Sequence, residues 1–175
     1  MAAFTLLRRK KLLAARVFQV CSETWRGPGR TAFRRHTIEH PGAVAIVPFD
    51  RAGRILMLRQ FRPSVRRTLL EIPAGTLEQG ERPLACARRE LVEETGCAGR
   101  NWKKLGAIFT APGFCNERIV LYKAWDLRPA HADQDEEEHI AVRAMSLQQV
   151  RAAVRSGRIC DAKSLAALLL LRLLD

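Results

Sequence analysis

The chain has 175 residues, 47% of them hydrophobic and 27% charged, and a formal net charge of +12. That length supports one ordinary domain with a sizeable core, and the composition is that of a soluble globular protein rather than a disordered or fibrous one. The longest apolar run, residues 165–171, is far too short to cross a bilayer, and no clean apolar leader with a cleavage site opens the chain, so neither a membrane span nor a secretory signal is expected.

The first 40 residues read as an extension before the main domain. Nine Lys/Arg but one acid, Glu23, fall in residues 1–35. Such a basic stretch attracts nucleic acid, anionic lipid or an anionic metabolite, or is simply a solvated surface. The Arg8-Arg9-Lys10-Lys11 run has no interleaved aromatics for base stacking, so nucleic acid is not the expected partner. Residues 15–21 alternate loosely, as a strand does. Gly27-Pro28-Gly29 predicts a turn, and residues 31–38 a returning strand.

From residue 42 the pattern sharpens. Residues 43–49 form a continuous apolar strand candidate, Asp50-Arg51-Ala52-Gly53 a turn, and residues 54–61 a second strand completing a hairpin. A short strand over 69–72 leads into Pro73-Ala74-Gly75. A helix is predicted from about Pro83, which suits the first turn, to Thr95, with Gly96 as its stop. Strands follow at 103–109, 119–125 and 141–145. Ser146 caps a helix through Val154 that Gly157 ends, and residues 162–174 predict a C-terminal amphipathic helix. The irregular mixture of strands and helices predicts an α/β sandwich, a mixed sheet between helices. Five cysteines, at 21, 86, 97, 115 and 160, contain no Cys-x-x-Cys pair and leave an odd one out. Free thiols in a reducing cytoplasm are expected.

The helix over 83–95 carries the chemistry. Glu90, Glu93 and Glu94 stand at i, i+3 and i+4, on one helical face. Three acids on one stripe repel each other unless a cation sits among them, and hard divalent ions prefer such oxygen donors. The alternative is a solvated acidic face. Gly75, five residues, Glu81, seven residues, then Arg89-Glu90-Leu91-Val92-Glu93-Glu94-Thr95-Gly96 resembles the Nudix box of the Nudix hydrolases. Every fixed polar and glycine position matches, and the final aliphatic position holds Cys97, which packs as a small hydrophobe.

The resemblance implies a Nudix-type α/β/α sandwich over residues 41–175, preceded by a β extension at 1–40 that builds a homodimer. It implies that Glu90, Glu94 and the Ala74 carbonyl hold Mg²⁺ (Mn²⁺ as the alternative), with Glu93 and Arg89 in the catalytic set. Arg89 is otherwise an ordinary i,i+4 partner of Glu93, worth about 0.3–0.5 kcal/mol.

The wider context resembles the ADP-ribose pyrophosphatase subgroup. Glu71-Ile72-Pro73-Ala74-Gly75 is similar to its approach to the box, and Arg59-Gln60-Phe61-Arg62 to the strand delivering a substrate arginine. Pro112, sixteen residues after Gly96, matches its marker proline, and Glu117 an acid that contacts substrate. Substrate contacts are thereby implied at Arg35, His40, Arg62, Ala111 and Glu117. Arg35 is also readable as a plain surface arginine, and Trp25 as either an adenine stacker or an interface residue. The acidic run Asp133-Gln134-Asp135-Glu136-Glu137-Glu138 falls where the subgroup has a catalytic loop. Aligned on Ile140, Glu136 takes the place of the general base and Glu138 that of a further metal ligand. A slip of one or two residues, or a merely solvated loop, stays open.

The expected activity is Mg²⁺-dependent hydrolysis of ADP-ribose to AMP and ribose 5-phosphate. The same chemistry on GDP-mannose or ADP-glucose is the nearest alternative, and a nucleic-acid-binding regulator on this fold a more remote one.

Overall fold

A computed structural model describes residues 3–29, 31–131 and 140–173. Two compact units divide the chain: one holds the residues up to Gly42 together with Phe109–Arg118, the other Ala43–Ile108 and the residues from Ile119 onward.

The first unit is a three-stranded antiparallel meander of β1 (Thr5–Ala14), β2 (Gln19–Arg26) and β3 (Ala32–Glu39), in that order. The loosely alternating stretch expected as the first strand is instead the connection after β1 and the start of β2. The sequence Thr5-Leu6-Leu7-Arg8-Arg9-Lys10-Lys11-Leu12-Leu13-Ala14 hides β1 because its apolar and basic residues come in doublets, with no period of two, and the whole strand is exposed. Arg9 nonetheless anchors it, pairing with Glu23 of β2 and Glu39 of β3. The segment 109–118 docks on β3: the Ile38 N–H donates to Phe114 O at 2.7 Å, and the Asn116 N–H to Ile38 O at 3.1 Å.

The second unit contains β4 (Ala43–Pro48), β5 (Ile55–Arg62), β6 (Arg67–Glu71), β7 (Ala74–Thr76), α1 (Pro83–Thr95), β8 (Cys97–Phe109), β9 (Arg118–Pro129), β10 (Ile140–Met145), α2 (Leu147–Arg155) and α3 (Ala162–Leu170). One sheet has the order β7-β4-β9-β8 and is mixed, since β4 runs parallel to β9 and antiparallel to β7. The other, β10-β5-β6, is antiparallel. The expected hairpin of β4 and β5 is therefore corrected. Only a single bridge, Phe49 to Ile55, joins their ends, because both edges of β4 are already taken by β7 and β9.

Every residue of β4 is buried, as its unbroken apolar run requires. Its alternation serves two layers. Val44 and Ile46 pack with Cys86, Ala87 and Leu91 of α1. Ala43, Ala45 and Val47 pack with Val150 and Ala153 of α2 and Ala167 and Leu168 of α3. Full burial of each large aliphatic here contributes about 1.5–3 kcal/mol.

The helix ends follow local chemistry. Pro83 opens α1, and Gly96 closes it in the left-handed region at φ 66°, its N–H donating to Val92 O at 2.8 Å. Ser146 and Gln149 form a reciprocal capping box on α2. The Asp161 carboxylate caps α3 by accepting from the Ser164 N–H. That helix stops at Leu170, short of the expected 174, with Arg172 at φ 53°.

Candidate active site

Glu90, Glu93 and Glu94 project from the second half of α1, which Leu91 anchors in the core. The cation that three clustered acids call for is supplied by Arg89. Its Nη1 donates to Glu90 Oε1 at 2.8 Å and to Glu93 Oε2 at 2.9 Å. Its other edge forms a two-pronged pair with Glu81, Nε to Oε1 at 3.1 Å and Nη2 to Oε2 at 3.0 Å. The bond from Arg89 holds the Glu81 carboxyl below its ordinary range, against the smaller opposing effect of burial. The Glu81 bond likewise raises Arg89, which stays charged throughout. The expected pairing with Glu93 is thus one arm of a clamp that also spans the Gly75-to-Glu81 approach.

Glu94 turns inward. It is 3% exposed, and Oε2 accepts from the Ala74 N–H at 2.9 Å. Glu90 lies against Gly75, where a methyl group in place of hydrogen would overlap its carboxyl. Steric access, rather than a positive φ, is the reason for glycine there. The Ala74 carbonyl belongs to the same short β7 strand. Among the described residues no three His, Cys, Asp or Glu side chains converge as a metal cluster, since Arg89 draws Glu90 and Glu93 together while Glu94 points to the β7 backbone. The donor chemistry, two carboxylates beside a backbone carbonyl, fits a hard divalent cation. Glu136 and Glu138 lie outside the described residues. Cys86, buried behind the clamp, has its thiol pushed up to about 12, first by burial and then by the charges of Glu81 and Glu90, so it is inert as a nucleophile.

Arg62, expected at the substrate, is held by Glu71. Its Nε and Nη2 donate to Glu71 Oε2 at 3.1 and 2.6 Å, and Lys163 of α3 donates to the same oxygen at 2.8 Å. Glu71 is 2% exposed. Burial pushes its carboxyl up, but the Arg62 bonds and the Lys163 charge outweigh that and leave it below the ordinary range. Sequence reasoning missed this triad, since Lys163 stands 92 residues from Glu71.

Arg35, His40, Ala111 and Glu117 belong to the first unit. His40 Nδ1 accepts from the Gly42 N–H at 3.1 Å, which leaves Nε2 facing Glu117 Oε1 at 3.8 Å. Glu117 Oε2 accepts from the Thr110 hydroxyl at 2.7 Å, and the Ala111 carbonyl closes the 111–115 turn. Arg35 is not part of this group; it lies over the Phe33 ring and donates to Arg34 O. Trp25 donates to Glu23. Within the same unit, Glu39, Phe109, Pro112, Phe114 and Asn116 help line a cavity of about 350 Å³. The buried Thr37 hydroxyl at its edge has no partner among the described residues. Phe109 and Phe114 are more than half exposed. Two exposed aromatics flanking the marker Pro112 are the signal that sequence reading passed over.

Residues 39–168 match the NUDIX domain family. Over 169 residues the chain is 35% identical to an ADP-ribose pyrophosphatase of Bacillus subtilis (strain 168), covering 95% of this chain and 91% of that one. With the same coverages it is 32% identical to a methanol dehydrogenase activator of Bacillus methanolicus. A crystal structure of an ADP compounds hydrolase shares the fold, with a TM-score of 0.85 over 97% of this chain and 92% of that one at 23% identity.

Proposed function

The chain belongs to the Nudix hydrolase family, and from that premise we propose that it hydrolyses the diphosphate linkage of ADP-ribose to AMP and ribose 5-phosphate. The single observation that carries the reading is the Glu81–Arg89–Glu90/Glu93 clamp on α1, with Glu94 fixed to the β7 backbone beside it.

In this reading Glu90, Glu94, the Ala74 carbonyl and Glu138 hold a divalent cation, Mg²⁺ or Mn²⁺, which when bound neutralises phosphate charge and acidifies a water. Arg89 is a positioning residue: it fixes the Glu90 and Glu93 carboxylates before any ligand arrives. Glu136 takes the proton of the attacking water, with Glu93 next in line. Arg35, His40, Ala111 and Glu117, together with Arg62 oriented by Glu71, contact substrate. The aromatic walls of the 350 Å³ cavity support a planar base as one of its parts. The extension, residues 1–40, pairs two copies into a homodimer, and the exposed edge strand β1 supports this. Among the described residues no helix is long and apolar enough to cross a membrane, and all five cysteines are unpaired, which supports a cytoplasmic protein.

The relatives' two names do not describe one role, so substrate is the quantity to measure. Initial rates on ADP-ribose, ADP-glucose and GDP-mannose, with Mg²⁺, Mn²⁺ or chelator, are expected to be highest for ADP-ribose, to release AMP and to vanish without the metal. Preference for a GDP sugar would move the assignment to the alternative substrate class.

A further inference from the structure

We propose a second anion site, distinct from α1, that takes a small ligand carrying two or more linked phosphates. It is a groove of about 810 Å³ over β5, β6 and β10, closed on one side by α2 and the segment that follows it. Arg59, Arg67, Arg143 and Arg158 line it, and among the described residues no acidic one does. Register places Arg59 opposite Ala141 and Arg143 opposite Met57. The two arginines are therefore diagonal neighbours on one face, a spacing of roughly 7–8 Å.

Some arginines elsewhere in this unit rest on an acid. Arg54 sits on Asp50, Arg62 on Glu71 and Arg89 on Glu81. Among the described residues Arg59, Arg67 and Arg143 have no such partner, and the Arg158 guanidinium donates to the Ser156 hydroxyl rather than to an acid. Arg59 and Arg143, side by side with no acid among the described lining residues, repel each other, and a multivalent anion relieves that repulsion. Guanidinium forks match phosphate oxygens in pairs. Gln149 and Thr68, also in the lining, add neutral donors. No aromatic residue lines the groove, so it offers nothing to stack a base. The ligand is thereby an oligophosphate or the phosphate tail of a nucleotide, not a strand read through its bases.

The groove is independent of the hydrolytic reading. Leu70 and Met145, which line it, pack on the apolar cluster beneath α2 and α3, whereas α1 packs on the other cluster. Its natural role is to sense a phosphorylated metabolite away from the box.

The test is isothermal titration of the full chain with inorganic tripolyphosphate, with chelator present so that no metal occupies the box. Saturable binding is expected, weaker as salt rises and stronger than for orthophosphate. Arg143→Gln/Arg158→Gln should weaken it about tenfold or more, as loss of two charged forks implies, while Glu94→Gln should leave it unchanged. Should the first pair melt early, Arg59→Gln/Arg67→Gln, on β5 and β6, carries the same expectation. The proposal is overturned by no binding at physiological ionic strength, by equal binding in both arginine pairs, by loss of binding in Glu94→Gln, or by binding of an oligonucleotide but not of tripolyphosphate.

Discussion

Arg89 and Glu81 face each other fork to fork, with both bonds near 3 Å, and the same guanidinium reaches Glu90 and Glu93 from its remaining edge. One cation thus balances three acids while tying α1 to the loop before it. Arg89→Met, which keeps the stem and removes the fork, should destabilise the metal-free protein by about 1–3 kcal/mol, the usual range for charged hydrogen bonds in a partly exposed site. Divalent cations should restore part of the lost melting temperature, because they replace the missing positive charge. An Arg89→Met protein that melts like the parent with and without Mg²⁺ would show the clamp to be ornamental.

Gly75 and Glu90 give a sharper handle. In Gly75→Ala the atoms nearest the new methyl group are those at the end of the flexible Glu90 side chain, and the glycine does not need a positive φ. The fold should therefore survive with the Glu90 carboxylate displaced. Metal affinity should fall about 10–100-fold, as for other disturbed ligand shells, and activity at limiting Mg²⁺ should fall with it. Excess Mg²⁺ should recover much of the rate. A variant that unfolds, or one with an unaltered Mg²⁺ dependence, contradicts this account.

These residues were legible in the sequence because their geometry is local. The i, i+3, i+4 spacing, Pro83 and Gly96 fix a helix and its acidic face with no tertiary information, and α1 is found from Pro83 to Thr95. Strand partners were not legible in the same way. The Asp50–Gly53 turn reverses the chain, yet β4 pairs with β9, far along the sequence, because a strand buried on both faces takes whichever edges close the sheet. Arg62 shows the same limit at the level of a side chain. Nothing near it announces that Glu71 is buried or that Lys163 shares its charge.

That triad makes the protein's acid stability predictable in sign. The folded Glu71 carboxyl titrates below its ordinary value of 4.5, so its contribution is complete above that pH and is lost as pH falls through the lower, folded value. Glu71→Gln should cost about 1.5–3 kcal/mol at neutral pH. The gap to the parent should close progressively on acidification below 4.5. Melting curves across that range test it, and a gap independent of pH would mean that Glu71 acts by shape rather than charge.

The acids at 136–138 can be sorted by kinetics. Glu136→Gln, removing the proposed base, should lower kcat by about 10²–10⁴-fold with little change in KM. Glu138→Gln should be partly rescued by raised Mg²⁺, as a ligand variant is, and Glu137→Gln should be near normal. Normal turnover in all three would pass the base role to Glu93.

β1 makes the assembly testable. It is ten residues long, exposed throughout, and terminates its sheet with Leu6, Leu7, Leu12 and Leu13 each more than two-fifths exposed. A long apolar edge of this kind invites pairing with another strand, while its central Arg8-Arg9-Lys10-Lys11 opposes indiscriminate stacking. A closed pair of two copies satisfies both constraints, since it covers the leucines and leaves neither β1 edge free. Sedimentation equilibrium should therefore find a dimer. Leu7→Glu/Leu12→Glu should shift it to monomer without unfolding either unit, because both side chains are exposed. If ADP-ribose turnover falls only on dissociation, at enzyme concentrations below the dimer constant, residues of the first unit act across the pair. A parent protein that sediments as a monomer removes the dimer and any role for Arg35 in a neighbouring copy.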